Sequence, residues 1–107
     1  MKKVLQMTFK INPQMRESAV ALFQKSAPKF NPVSGTVKGI QWKLWLFKRE
    51  ENSGSGIYLF QDEESVMAYL NGELIKELKN HPAISNIETK IFDIQMELSK
   101  ITNGPVD

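Results

Sequence analysis

Hydrophobic and polar positions alternate strictly at the start of the chain. Leu5, Met7, Phe9 and Ile11 point one way, and Val4, Gln6, Thr8 and Lys10 the other, which predicts a half-buried strand over residues 3–11. Asn12-Pro13 stops it and suits a helix start. Met15, Ala19, Leu22, Phe23 and Ser26 then recur at helical spacing, predicting an amphipathic helix over 14–27. Pro28 to Gly39 holds two prolines and two glycines and reads as an irregular loop of the kind that often carries function. A second strand is predicted over 40–49, a flexible hairpin connection over Glu50–Gly56 and a third strand over 57–61. Asp62 caps a helix whose first turn carries Glu63 and Glu64, in keeping with the helix dipole. Val66, Leu70, Leu74 and Leu78 form its buried stripe, and Gly72 breaks it into two short helices. His81-Pro82 ends the segment, a last strand runs over 84–96, and Thr102 to Asp107 is expected to fray.

The order strand, helix, strand, strand, helix, strand predicts an α+β, ferredoxin-like βαββαβ domain over residues 1–107. One four-stranded antiparallel sheet carries its helices on one face. Trp42 and Trp45 are three residues apart in the second strand, so they point to opposite faces, and Tyr58 and Leu59 do the same in the third. Both faces therefore need cover, and so short a chain has helices for only one. Burying a large aromatic is worth roughly 2–3 kcal/mol, and several left in water make an adhesive patch. A homodimer joined through the second face resolves this; lining a ligand cavity is the other use of such a face.

Composition narrows the function classes. The chain is 41% hydrophobic and 24% charged, ordinary for a soluble protein. Its net charge of +2, with lysines interspersed among acids, gives no reason to expect nucleic acid. No stretch has the length of a membrane span, and Gln6, Thr8 and Lys10 interrupt the residues after Lys2-Lys3, so a signal peptide is not expected. With no cysteine, thiolate chemistry, disulfides and zinc-thiolate sites are excluded, and a cytoplasmic location fits. One histidine cannot build a multi-histidine metal site within one chain, and no glycine-rich phosphate loop follows a strand, so no metal and no cofactor is expected.

Candidate chemistry gathers on the second and third strands. Trp42, Trp45, Tyr58 and Phe60 either line an aromatic pocket that binds substrate or pack in core and interface. Lys43, between the two tryptophans, either holds an acidic phenol or enolate and takes part in proton transfer, or lays its stem on apolar surface, or pairs with Glu88 or Asp93. Tyr58, Tyr69 and His81 are the candidate proton carriers; His81, directly before a proline at a helix end, is better suited to capping or to simple exposure.

The segment from Gly39 to Thr102 resembles the YdhR-type putative monooxygenase family, a branch of the dimeric α/β-barrel superfamily. The resemblance rests on Gly39, Trp42-Lys43-Leu44-Trp45, Gly56-Ile57-Tyr58-Leu59-Phe60, Asp62-Glu63-Glu64-Ser65, Ala68-Tyr69-Leu70, Lys90-Ile91-Phe92-Asp93-Ile94 and Leu98-Ser99-Lys100-Ile101. It implies a homodimer in which two sheets form a barrel. It also implies kinship with small cofactor-free monooxygenases that oxidise aromatic polyketides. Those relatives set an Asn, a Trp and a Tyr round the substrate. Trp42 or Trp45 answers to the Trp and Tyr58 or Tyr69 to the Tyr, while Asn12, Asn31 and Asn71 lie outside the matching runs. Where the family has two glycines before the third strand, this chain has Ser55-Gly56, and its 28–38 loop is longer. The expected function is thus a cofactor-independent monooxygenase for a small aromatic or quinol-like compound. The alternative is a non-catalytic ligand-binding or stress-related dimer on the same fold.

Overall fold

Alternation in the first strand is carried through to packing: in β1 (Lys3–Ile11), Leu5, Met7, Phe9 and Ile11 are all buried. The computed structural model describes residues 1–107. β1 pairs antiparallel with β3 (Ser53–Phe60) on one side and with β4 (Ile84–Asp93) on the other, and β2 (Ile40–Lys48) pairs with β3. The sheet order is β2-β3-β1-β4, the ferredoxin-like arrangement. Register places Lys43, Tyr58 and Leu5 side by side, then Trp45, Gly56 and Met7, then Phe47, Gly54 and Phe9. Residues opposite one another share a face, so these three rows form the surface on which the helices lie.

Gly54 and Gly56 belong to β3 itself, so the flexible stretch expected over Glu50–Gly56 is corrected. The turn is confined to Arg49–Glu51, with Asn52 at φ 50°. The glycines are there for want of space: a Cβ on Gly54 would lie 2.6 Å from the Phe9 ring, and one on Gly56 2.8 Å from the Tyr58 ring.

Asn12 accepts from the Gln14 amide before a short 3₁₀ turn, and α1 (Arg16–Ser26) then buries Ala19 and Phe23. A second 3₁₀ turn, Ala27–Phe30, brings Phe30 into the core. Asp62 accepts from the Ser65 amide to start α2 (Glu63–Leu70), and Gly72 precedes α3 (Glu73–Asn80). The break resets the helical phase. Val66 stays buried, but Tyr69 and Ile75 join it in place of Leu70, Leu74 and Leu78, which are only partly buried.

The loop before β2 closes at Gly39, whose φ is +80° and whose carbonyl accepts from the Gln61 amide at 2.8 Å. A Cβ there would sit 2.1 Å from Ser65 Oγ. Gly39→Ala is therefore expected to destabilise the fold by about 1–3 kcal/mol, the cost of a left-handed non-glycine residue before the clash is counted. A thermal melt unchanged from wild type would show that the loop relaxes at no cost.

β4 ends at Asp93, short of the expected 96, and a short helix α4 (Met96–Ile101) follows. The C-terminal residues do not fray. Trp42 Nε1 donates to the Pro105 carbonyl and Lys2 Nζ to the Val106 carbonyl, each at 2.7 Å, and Val106 is buried. This tail covers the Trp42 end of the face away from the helices, which is why Leu59 on that face is fully buried. The rest of the face is open: Leu44, Leu46 and Phe92 stay about half exposed. No helix is long and apolar enough to cross a membrane.

Candidate active site

Alternation drives Lys43 and Trp45 toward the helices, and the register sets Lys43 directly opposite Tyr58. There the lysine meets only aromatic rings. Its Nζ lies 3.5 Å from the ring centroid of Trp45, 4.0 Å from Phe30 and 4.5 Å from Tyr58. It has no acidic partner. Asp93, one of the partners expected from sequence, is paired with Lys3, and Glu88 lies across the sheet beside Thr8. Glu77, at the rim, faces Lys25 at 3.7 Å.

Beneath the lysine is a cavity of about 40 Å³ between sheet and helices, walled by Met7, Phe23, Phe30, Trp45, Tyr58 and Tyr69. Phe30 packs edge-on to Trp45 and to Tyr69, with ring centroids 5.7 and 5.5 Å apart. Above it runs an outer groove of about 630 Å³, bordered by Pro28, Asn31, Gln41 and Trp42. Lys43, Phe30 and Trp45 line both spaces, so they form the partition between them.

The two tyrosine hydroxyls share a hydrogen bond of 2.9 Å, and Tyr58 Oη also reaches Met7 Sδ at 3.9 Å. One proton serves their mutual bond; with Tyr69 donating it, the Tyr58 O–H turns to Met7 Sδ, a weak acceptor. Burial, and then the neighbouring Tyr69, hold the Tyr58 phenol well above its ordinary value. Burial pushes Tyr69 up to about 12, against a smaller downward pull from its bond to Tyr58. Both stay protonated at neutral pH and act as donors, not as bases. Burial lowers Lys43 to about 7. The ring faces oppose this, since a cation over aromatic rings gains about 0.5–2 kcal/mol, on the order of one pKa unit. The amine thus exchanges its proton near neutrality, as a general base must.

Lys43, Trp45, Tyr58 and Tyr69 are brought together at the cavity. Three other candidates are not. Trp42 projects from the opposite face to hold the tail, touching the outer groove only at its edge. Phe60 stacks behind Tyr58 at 5.9 Å and is fully buried, away from the cavity wall. His81 terminates α3, where Nδ1 accepts from the Ala83 amide at 3.1 Å and Nε2 meets Ser18 Oγ at 3.3 Å. That is a capping role. Phe30 and Phe23 were missed by the sequence reading. Phe30 sits in the irregular stretch singled out as functional, but nothing in its spacing shows that it turns inward.

A family model described as "Putative mono-oxygenase ydhR" matches residues 4–105. The chain belongs to this family. Among solved structures, a protein of unknown function from Nitrosomonas europaea is 17% identical with a TM-score of 0.71, covering 88% of this chain and 89% of that one. SnoaB, a cofactor-independent oxygenase from Streptomyces nogalater, is 19% identical with a TM-score of 0.65, covering 88% and 93%. MhuD, a heme-degrader from Mycobacterium tuberculosis, is 14% identical with a TM-score of 0.63, covering 87% and 95%. At these identities the likeness is one of fold. No curated protein matches the sequence significantly. The ferredoxin-like fold and family expected from the sequence are thus both met, and the match extends the resemblance back through β1 and α1.

Proposed function

We propose that this protein is a cofactor-independent monooxygenase that oxidises a small aromatic or quinol-like compound and works as a homodimer. The observation that carries the reading is an unpaired lysine in an aromatic enclosure, with two protonated tyrosines in the same cavity. Family membership supplies the reaction class. The sole histidine lies outside the cavity and there is no cysteine, so the common soft or imidazole ligands for a metal or heme are not offered there.

The cavity volume supports a division of places. An apolar cavity of roughly 150 Å³ holds benzene, so 40 Å³ admits dioxygen or water but not an aromatic ring. The organic substrate belongs in the outer groove, against Phe30 and Trp45. Neutral Lys43 takes the phenolic proton, and the resulting ammonium holds the anion. The anion passes one electron to dioxygen, and the two radicals join to form a C–O bond. Loss of the ring hydrogen then breaks the O–O bond: a naphthol and dioxygen become a naphthoquinone and water.

Oxygen uptake with a panel of naphthols and quinols tests the reading. Tight binding without oxygen consumption would favour the ligand-binding alternative. For an active substrate that ionises well above pH 7, kcat/KM should rise with pH through about 7, as Lys43 loses its proton. A flat profile through that range would remove Lys43 as the base.

The dimer rests on the uncovered half of the second sheet face, where Leu44, Leu46 and Phe92 stand in water. A second copy laid on it buries them and closes two sheets into a barrel. The absence of cysteine agrees with a reducing cytoplasm.

A further inference from the structure

Oxygen chemistry uses Lys43 as a base, but the same placement gives its nitrogen a lone pair and a route to a ligand. We propose that Lys43 condenses reversibly with an aromatic aldehyde or ketone held in the outer groove, forming an imine at Nζ. This activity does not depend on whether oxygen is consumed.

Three features of geometry support it. Nζ has no carboxylate and no hydrogen-bond acceptor within bonding distance, only the faces of Trp45, Phe30 and Tyr58. With no anion to hold an ammonium, burial lowers it to about 7, although the ring faces themselves favour the cation. Second, it stands on the partition, so a flat ring lying in the groove of about 630 Å³ against Trp45 and Phe30 can present a carbonyl carbon to it. Third, the tyrosine hydroxyl pair lies within the same inner cavity.

The chemistry balances without any further reactant. The amine lone pair adds to the carbonyl carbon, giving a carbinolamine. The C–O bond then breaks, and both amine protons leave with the carbonyl oxygen as one water. The inner cavity of about 40 Å³ is large enough to receive that water. No electron is transferred. Aldehydes without an aromatic body gain nothing from the groove and should react more slowly here than aromatic ones.

The test is reductive trapping. The intact protein is incubated at pH 7 with 2-naphthaldehyde and cyanoborohydride, and the adducts are mapped by peptide mass spectrometry. The expected result is a single adduct on Lys43, formed at least about tenfold faster than on any other lysine. With its pKa lowered by burial, Lys43 offers far more free amine at this pH than an ordinary lysine, which is neutral at roughly one part in a thousand or less. Acetaldehyde shares the advantage of the neutral amine but not that of the groove, so its preference for Lys43 should be smaller than that of 2-naphthaldehyde. Lys43→Met and Lys43→Arg should each lose the fast adduct while circular dichroism shows the fold retained. Labelling spread evenly over the lysines would overturn the proposal, as would a Lys43 that stays unlabelled in folded protein. An adduct without oxygen uptake would leave this proposal standing while removing the monooxygenase reading, and oxygen uptake without an adduct would do the reverse.

Discussion

Lys43→Met will lose binding of an acidic aromatic ligand by roughly tenfold or more, and oxygen uptake by about 10²–10⁴-fold, while becoming more stable than wild type at pH 6. The first effect is the loss of a desolvated charged hydrogen bond, worth ~1.5–3 kcal/mol. The second is the usual contribution of a positioned base. The third comes from linkage. In the folded protein Lys43 titrates at about 7, below its ordinary 10.5. Between these values the unfolded chain holds more protons, so stability rises with pH across that window. Below pH 7 the fold carries the whole penalty of a caged ammonium, and above about 10.5 it carries none. Methionine fills a similar volume with no charge, so the variant's advantage should be greatest near pH 6 and vanish at high pH. Half-burial and the attraction of the rings reduce it to about 2 kcal/mol. Urea denaturation of both proteins at pH 6 and pH 10 measures the difference. A variant less stable than wild type at pH 6 would mean that the rings stabilise the ammonium more than burial costs it. Lys43 would then be a structural cation and not a base.

The opposition of Trp42 and Trp45 was legible because a strand has a period of two. A bulge interrupts β2 between Ile40 and Trp42, upstream of both, and so leaves their relation intact. Capping by Asn12 and Asp62, and the break at Gly72, were legible because each rests on one residue's local chemistry. The pairing of Lys43 with Tyr58 was not, because register is a property of two strands together. Nor was the use of Gly54 and Gly56: the sequence shows flexibility, and only packing shows that the rings of Phe9 and Tyr58 need their space. Phe30 turns inward because Ala27–Phe30 continues from α1 as a tight turn, and a lone aromatic between two prolines has no periodicity to reveal its direction. The tail looked loose because it is short and polar. It is fixed by the indole N–H of Trp42, which donates to the Pro105 carbonyl, a pairing across the chain that no local pattern reveals.

Leu44→Glu is expected to convert the proposed dimer to monomer at micromolar concentration without unfolding the chain. Leu44 lies on the far sheet face and is half exposed, so the single chain already tolerates water at this position. In the proposed dimer it lies under the partner's sheet. An unpaired carboxylate buried there costs several kcal/mol, and each 1.4 kcal/mol is tenfold in dissociation constant, so the equilibrium should weaken by at least about 10³-fold. Lys43 on the next position faces the helices, so the substitution leaves the aromatic enclosure untouched. Sedimentation equilibrium gives the dissociation constant, and fluorescence of Trp45 beside Phe23 and Phe30 reports whether the cavity survives. A Leu44→Glu protein that stays dimeric would place the interface elsewhere, on α4, where Leu98 and Ile101 are exposed. A monomer that still consumes oxygen at the wild-type rate would show that each chain holds a whole site and that the second copy serves only to cover the sheet.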